Sequence, residues 1–167
     1  LLAKYRIAKV SLPGGCAIGS RPVDFHLEAL KKMGAKIKIK DGYIIASAKR
    51  GLKGCSIRFP KISVGATENI LIAACFAQGE TKLMNCALEP EIEDLINFLK
   101  KIGCKIKKIG KRKINIVGIK ETETAVHKII FDRIETGTYI IAAALTKGRL
   151  KIKNIDTKIM SNEIALL

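Results

Sequence analysis

Glu89-Pro90-Glu91-Ile92-Glu93-Asp94-Leu95-Ile96-Asn97-Phe98-Leu99-Lys100-Lys101-Ile102-Gly103-Cys104-Lys105-Ile106-Lys107-Lys108 holds the pattern that decides the fold. Ile92, Leu95, Ile96, Leu99 and Ile102 recur at the spacing that places them on one face of a helix. Pro90 suits the first turn, where no backbone N–H is needed, and Gly103 suits the residue that ends a helix. From Lys105 the apolar period drops to two, which predicts a strand with one wet and one dry face. The same succession stands earlier in the chain. Pro22 opens a helix carrying Val23, Leu27 and Leu30, Gly34 closes it, and Lys36–Lys40 alternates Lys with Ile.

The two passages belong to an internal repeat. Gly34 and Gly103 lie 69 residues apart, as do Leu30 and Leu99, Gly79 and Gly148, and Asn85 and Asn154. Between these anchors Ala73-Ala74 returns as Ala142-Ala143. Fixed-spacing self-similarity implies copies of one supersecondary unit, each burying a face against the next; the copies are residues 21–89 and 90–158. Each reads as helix, strand, strand, strand, helix, strand. Tyr43–Ser47 and Lys113–Val117 are the second strands, residues 55–59 and 125–129 the third, and residues 82–84 and 150–152 the last. Lys40-Asp41-Gly42 is a hairpin turn. The second helices, beginning near Thr67 and Thr136, are apolar on most sides and rich in Ala. They are therefore expected to lie deeply buried, small helices enclosed by sheets.

Composition narrows the class. The 167 residues are 48% hydrophobic and 28% charged, enough for a real core and too apolar for disorder. The longest apolar runs, Ile70 to Ala77 and Tyr139 to Leu145, fall short of a membrane span, and no secretory signal pattern is present. Opening at Leu1 without Met and stopping at Leu167 without a cap, the chain reads as a piece of a longer protein. Five cysteines, with no C-x-x-C pair, and two distant histidines support neither a disulfide framework nor a zinc site. A reducing cytosol is the expected compartment. The charge of +16 comes mostly from Lys alternating with Ile, as on solvated strand faces. Aromatic residues for base stacking amount to 5%, with no Trp, so nucleic acid is not expected as a partner. Part of the positive field is available to an anionic small molecule.

Leu12-Pro13-Gly14-Gly15-Cys16-Ala17-Ile18-Gly19-Ser20-Arg21-Pro22-Val23-Asp24 is too polar and too rich in glycine for core. Its glycines let backbone approach a ligand, and a cysteine on such a loop is a candidate reactive thiol. Arg21 is placed to help hold an anion beside it. On spacing alone, an ordinary glycine-rich turn with a bystander cysteine also accounts for it.

This loop, Arg21-Pro22-Val23-Asp24, Ser63-Val64-Gly65-Ala66-Thr67-Glu68-Asn69, Glu89-Pro90-Glu91-Ile92 and Asp132-Arg133-Ile134-Glu135-Thr136-Gly137-Thr138 occur in order. Together they resemble the enolpyruvyl transferase family, in its branch acting on UDP-N-acetylglucosamine, over nearly the whole chain. The resemblance implies an inside-out α/β barrel, in which repeated α/β units bury helices inside sheets, with two units present here. Residues 1–130 would be part of a first globular domain, and 131–167 the crossing into a second. The implied substrates are phosphoenolpyruvate and UDP-N-acetylglucosamine, the implied partner the remaining segments of the same enzyme, and no cofactor, metal or membrane is implied. The reaction adds the sugar 3′-hydroxyl to phosphoenolpyruvate, giving a tetrahedral phospho-ketal, and then eliminates phosphate; it commits material to peptidoglycan. Cys16 matches the family cysteine that protonates the methylene carbon and is alkylated by fosfomycin. Arg21, Pro22, Val23, Asp24 and Phe25 match the uridine-binding stretch, although many relatives carry Leu at the position of Phe25. Lys61, Ile62, Ser63, Val64 and Gly65 match the diphosphate-binding segment, for which simple helix capping by Ser63 and Thr67 is the competing account.

Asp132, Arg133 and Glu135 are read as structural, ordering the interdomain crossing and its helix start. His26 is read as a packing or hydrogen-bonding residue, and Cys55, Cys75, Cys86 and Cys104 as buried and inert on strands or helices. A non-catalytic basic module for nucleic acid or another anion is the alternative function. The family's remaining phosphate-binding residues lie outside these segments, so the chain alone is expected to be inactive. Brief iodoacetamide treatment is expected to label Cys16 ahead of the other four cysteines, and peptide mass mapping checks the order.

Overall fold

The computed structural model describes residues 1–14 and 23–165, the side chains of 162 and 163 excepted. The described chain forms two compact units, Leu1–His127 and Lys128–Leu167. In chain order the first holds α1 (Leu2–Tyr5), β1 (Ile7–Ser11), α2 (Asp24–Lys32), β2 (Lys36–Lys40), β3 (Tyr43–Ser47), β4 (Ser56–Arg58), α3 (Val64–Cys75), β5 (Glu80–Met84), α4 (Pro90–Lys101), β6 (Lys105–Lys108) and β7 (Lys113–Val117). The second holds α5 (Arg133–Leu145) and α6 (Ser161–Ile164).

Both alternating Lys/Ile segments are strands over the expected residues. One sheet runs β1-β3-β2, all antiparallel; the other runs β4-β5-β7-β6, with β4 and β5 parallel and the rest antiparallel. Asp41 and Gly42 both have positive φ, 51° and 74°, as a tight two-residue hairpin between β2 and β3 requires. Register turns the lysines outward: Lys9, Ile45 and Lys38 form one cross-strand row on the outer face. On the inner face of the second sheet, Ile57, Leu83 and Ile114 stand in one row and are all buried.

The repeat is visible in the backbone as well as in the composition. Gly34 and Gly103 have φ of 95° and 98°. At each, the following residue's N–H bonds the carbonyl five residues back, Ala35 to Leu30 and Cys104 to Leu99, which closes the helix with a left-handed cap. Asn85 and Asn154, also one repeat apart, both have φ 61°. The helix cap recurs too: Ser63 caps α3 and Asp132 caps α5.

α3 lies at the centre of the first unit, packed against α1, α2, α4 and β7. Ala66, Thr67, Ile70, Leu71, Ala73, Ala74 and Cys75 are buried along it, so it is covered on most sides, as its composition predicts. Full burial of Ile70 and Leu71 contributes about 1.5–3 kcal/mol each. Its counterpart α5 departs from expectation. Only Thr136 is buried there, while Tyr139, Ile141 and Leu145 are exposed. No strand occurs in the second unit among the described residues, so α5 has no strand of its own unit to cover it.

Two expected strands are also absent. Residues 150–152 are irregular: β5, their counterpart, has a ladder because it lies between β4 and β7, and no such neighbours stand there. Residues 125–129 are irregular as well. The chain leading to His127 is held to α4 by other bonds, from Lys101 Nζ to the Val126 carbonyl and between His127 Nε2 and Asp94 Oδ1 at 3.0 Å. The expectation for residues 55–59 shrinks to the three residues of β4.

The turn between α3 and β5 packs against two glycines. A Cβ at Gly118 would lie 1.7 Å from the Ala77 carbonyl oxygen, and one at Gly54 would lie 2.3 Å from that of Glu80. Backbone cannot step aside as a flexible side chain can. Gly118→Ala and Gly54→Ala are each expected to lower stability by about 1–3 kcal/mol or more, read as a fall in the urea midpoint.

Candidate functional site

The segment after β4 leaves the sheet through Phe59 and turns at Pro60-Lys61-Ile62 before α3. Ser63 is extended, with φ −145° and ψ 120°, and its hydroxyl accepts a hydrogen bond from the Ala66 N–H at 3.2 Å. The Thr67 hydroxyl, fully buried, makes two bonds. It donates to the Ser63 carbonyl at 2.7 Å and accepts from the Ala87 N–H at 3.1 Å. That pair ties the first turn of α3 to the connection leading into α4. Removing the hydroxyl would strand a buried N–H, at a cost of about 1–3 kcal/mol.

α2 begins beside the same turn. A Cβ on Gly65 would lie 3.5 Å from His26 Nε2, so the first turns of α2 and α3 lie against each other. Residues 23–25 and 61–65, far apart in sequence, are thereby brought to one end of the first unit. α4 joins them: the Glu68 carboxyl is pushed above its ordinary value by burial and by the charge of Glu91 in the first turn of α4. The first turns of three helices come near this end, each with the positive end of its dipole, and Asp24, Glu68 and Glu91 set negative charge beside them. The dipoles favour an anion there, and the carboxylates oppose one.

The candidate residues are disposed as follows. Lys61 and Ile62 are exposed, Ser63 and Val64 half-buried, and Gly65 exposed. Val23 is half-buried and Asp24 exposed. Phe25 is half-buried and packs against the hydrophobic core, which leaves only part of its ring for a ligand. Cys16, Arg21 and Pro22, and with them the loop reading, lie outside the described residues. His26 is expected from the sequence to be a packing or hydrogen-bonding residue. It bridges α2 and α3, and its Nδ1 is buried with no hydrogen-bond partner among the described residues. Sequence reasoning missed the twofold use of the Thr67 hydroxyl. The clue lay in the repeat, where Thr136 donates to the Asp132 carbonyl at 2.8 Å in the same way.

Asp132 is occupied in capping: its carboxylate accepts from the N–H groups of Ile134 and Glu135 at 2.8 and 3.0 Å, as its structural reading requires. Cys75, Cys86 and Cys104 are buried, but Cys55 is half-buried. Only Cys75 lies within a helix or strand, so the expectation that all four would do so is corrected. Burial pushes the Cys86 thiol up to about 11, against the lowering effect of Arg112, and raises the Cys55 thiol as well. Among the described residues no group of three or more His, Cys, Asp or Glu could hold a metal ion, and no helix is long and apolar enough to cross a membrane. A hollow of about 840 Å³, lined by Lys4, Arg6, Gln78 and Lys120 among others, touches neither described candidate segment. An apolar hollow of about 350 Å³ does reach Val23 and His26, beside Val10, Ile44 and Ile72.

Comparison with known proteins gives a consistent result. The chain is 60% identical over 167 residues to UDP-N-acetylglucosamine 1-carboxyvinyltransferase of Pelagibacter ubique (strain HTCC1062), covering 100% of this chain and 40% of that protein. It is 56% identical over 162 residues to the protein of that name from Rickettsia akari (strain Hartford), covering 97% and 39%. It thus spans about 40% of the length of the curated relatives it matches. Among solved structures, the enolpyruvyl transferase NikO from Streptomyces tendae superposes with a TM-score of 0.68 at 23% identity, over 86% of this chain and 34% of that one. EPSP synthase from Acinetobacter baumannii gives 0.61 at 23% identity, over 81% and 31%. Both likenesses establish the fold, repeated α/β units with helices enclosed by sheets. The family model of EPSP synthase (3-phosphoshikimate 1-carboxyvinyltransferase) matches residues 1–167, and the chain belongs to that family of carboxyvinyltransferases.

Proposed function

We propose that this chain is part of an enzyme transferring enolpyruvyl from phosphoenolpyruvate to the 3′-hydroxyl of UDP-N-acetylglucosamine, the step that commits material to peptidoglycan. The observation that carries the reading is the 60% identity over the full chain to a protein of that name. The geometry is compatible with it. Lys61, Ile62, Ser63, Val64 and Gly65 stand at the shared end of three helix N-termini, where backbone N–H groups and the Lys61 ammonium suit a diphosphate. Arg21, Pro22, Val23, Asp24 and Phe25 lead into α2, whose first turn touches α3, and are assigned to the uridine. Residues 1–130 are assigned to a first globular domain and 131–167 to the crossing into a second.

Cys16 is assigned the acid. As the sugar 3′-hydroxyl oxygen bonds to C2 of phosphoenolpyruvate, its own proton passes to a base in the rest of the enzyme and the thiol proton goes to the methylene carbon, giving a methyl group, a thiolate and a tetrahedral phospho-ketal. Elimination then breaks the bond from C2 to the phosphate oxygen, phosphate leaves, and a methyl proton returns to the Cys16 thiolate as the double bond is restored. Work in the cytosol, a part in cell shape and division, and sensitivity to fosfomycin belong to the same proposal. Segments beyond this chain supply the rest of the site.

Titration of the chain with UDP-N-acetylglucosamine, followed by NMR, is expected to shift the amide signals of residues 23–25 and 61–65. Lys61→Ala is expected to weaken binding roughly tenfold, the loss of one charge-assisted contact. The absence of any shift, with salt-sensitive affinity for nonspecific DNA in its place, would overturn the reading in favour of a basic binding module.

A further inference from the structure

Hydrogen bonds between residues 59–67 and residues 84–87 form a pattern that neither segment needs for its own helix or strand. Phe59 follows β4 and is 1% exposed. Both of its backbone polar groups are engaged: its N–H donates to the Met84 carbonyl at 3.0 Å, and its carbonyl accepts from Asn85 Nδ2 at 2.9 Å. Thr67, 0% exposed, holds the other end, where its hydroxyl accepts from the Ala87 N–H at 3.1 Å. Residues 60–66 therefore run between two fixed points, and the side-chain bond at each joins them to the connection from β5 to α4.

That connection is itself held in place. The Cys86 N–H donates to the Arg112 carbonyl at 3.1 Å, and Arg112 Nη1 donates to the Cys86 carbonyl at 2.9 Å. Arg112 stands just before β7 in the second repeat copy, so a loop of the first copy is set against the second. Asn85 has φ 61°, a left-handed conformation that asparagine adopts more readily than most residues, and Asn154 repeats it one copy later. Ser63 Oγ, by contrast, bonds inside the loop, to the Ala66 N–H, which sets the loop's shape and not its place.

We propose that Thr67 and Asn85 are positioning residues for the nucleotide sugar: they pin both ends of residues 60–66 to residues 85–87 and so hold residues 61–65 ready for a diphosphate. The inference rests on the reading of residues 61–65 as the diphosphate-binding segment. Neither side chain contacts the ligand: Thr67 is fully buried, and Asn85 has its Nδ2 on the Phe59 carbonyl. Both act before the ligand arrives, because a loop already ordered loses less conformational freedom on binding. Arg112 supports them from the far side of the connection. A nucleoside without phosphate makes no use of the loop, so its binding is independent of both residues.

The test titrates the unsubstituted chain and its variants with UDP-N-acetylglucosamine, UDP and uridine, followed by NMR. Thr67→Val keeps the shape and removes the hydroxyl, whereas Asn85→Gly keeps the left-handed backbone and removes the amide. Each is expected to weaken UDP-N-acetylglucosamine and UDP about three- to tenfold, the effect of one lost hydrogen bond, and to leave uridine unchanged. Thr67→Ser, which keeps the hydroxyl, is expected to bind within about twofold of the unsubstituted chain. Ile116→Val, a core change in β7, is expected to lower the melting temperature and leave all three affinities as they were. No binding of any of the three by the unsubstituted chain would remove the functional reading, and this inference with it. Three results would overturn the positioning role alone: UDP bound by both variants as tightly as before, uridine weakened as much as UDP, or Ile116→Val weakening UDP equally. Should Thr67→Val fail to fold, Asn85→Gly and Thr67→Ser decide the matter.

Discussion

Burial of α3 on most of its sides is the constraint on which the first unit depends. A helix whose sequence from Ala66 to Cys75 offers only Glu68, Asn69 and the exposed Ile72 as breaks in its buried surface cannot rest on one sheet with its back to water. It needs neighbours all round. α1, α2, α4 and β7 supply them, drawn from both sides of α3 in the sequence. The sheets then follow, because strands flanking such a core must turn one face inward. In the second sheet Ile57, Ile106, Ile114 and Ile116 go inward while the strand lysines face outward, which is how a chain of net charge +16 also keeps a dry interior.

Enclosure by elements from two repeat copies explains where the repeat stops being regular. β5 belongs to the first copy, yet its antiparallel partner β7 belongs to the second. A unit is therefore completed by the one that follows it. α5 has the same cap and the same threonine back-bond as α3, set by local sequence, but it lacks the surrounding strands. Capping and helix formation are local and survive; enclosure is not local and does not. The exposed Tyr139, Ile141 and Leu145 are the visible consequence.

The same packing assembles the candidate site. Because α3 is pressed against α2 and α4, their first turns come to one end of the unit, where Gly65 meets His26 and Thr67 holds the Ala87 N–H. The nearness of these first turns is a by-product of burying one apolar helix. Lys61 stands exposed at this end, with Asp24 exposed as well and Glu68 half-buried.

Sequence by itself determined the local elements. The two Lys/Ile pairs of strands, the amphipathic α4, the glycines ending α2 and α4, and the offset of 69 residues were all legible, because period, cap and turn chemistry act over a few residues. The ordered motifs carried the family, and with it the architecture. Tertiary structure alone decided that residues 150–152 form no strand, since a strand exists only where a neighbour offers a ladder. It also decided that His26 bridges two helices, and that α5 stays exposed. Each depends on segments distant in the chain meeting in space, and no period within one segment records such a meeting.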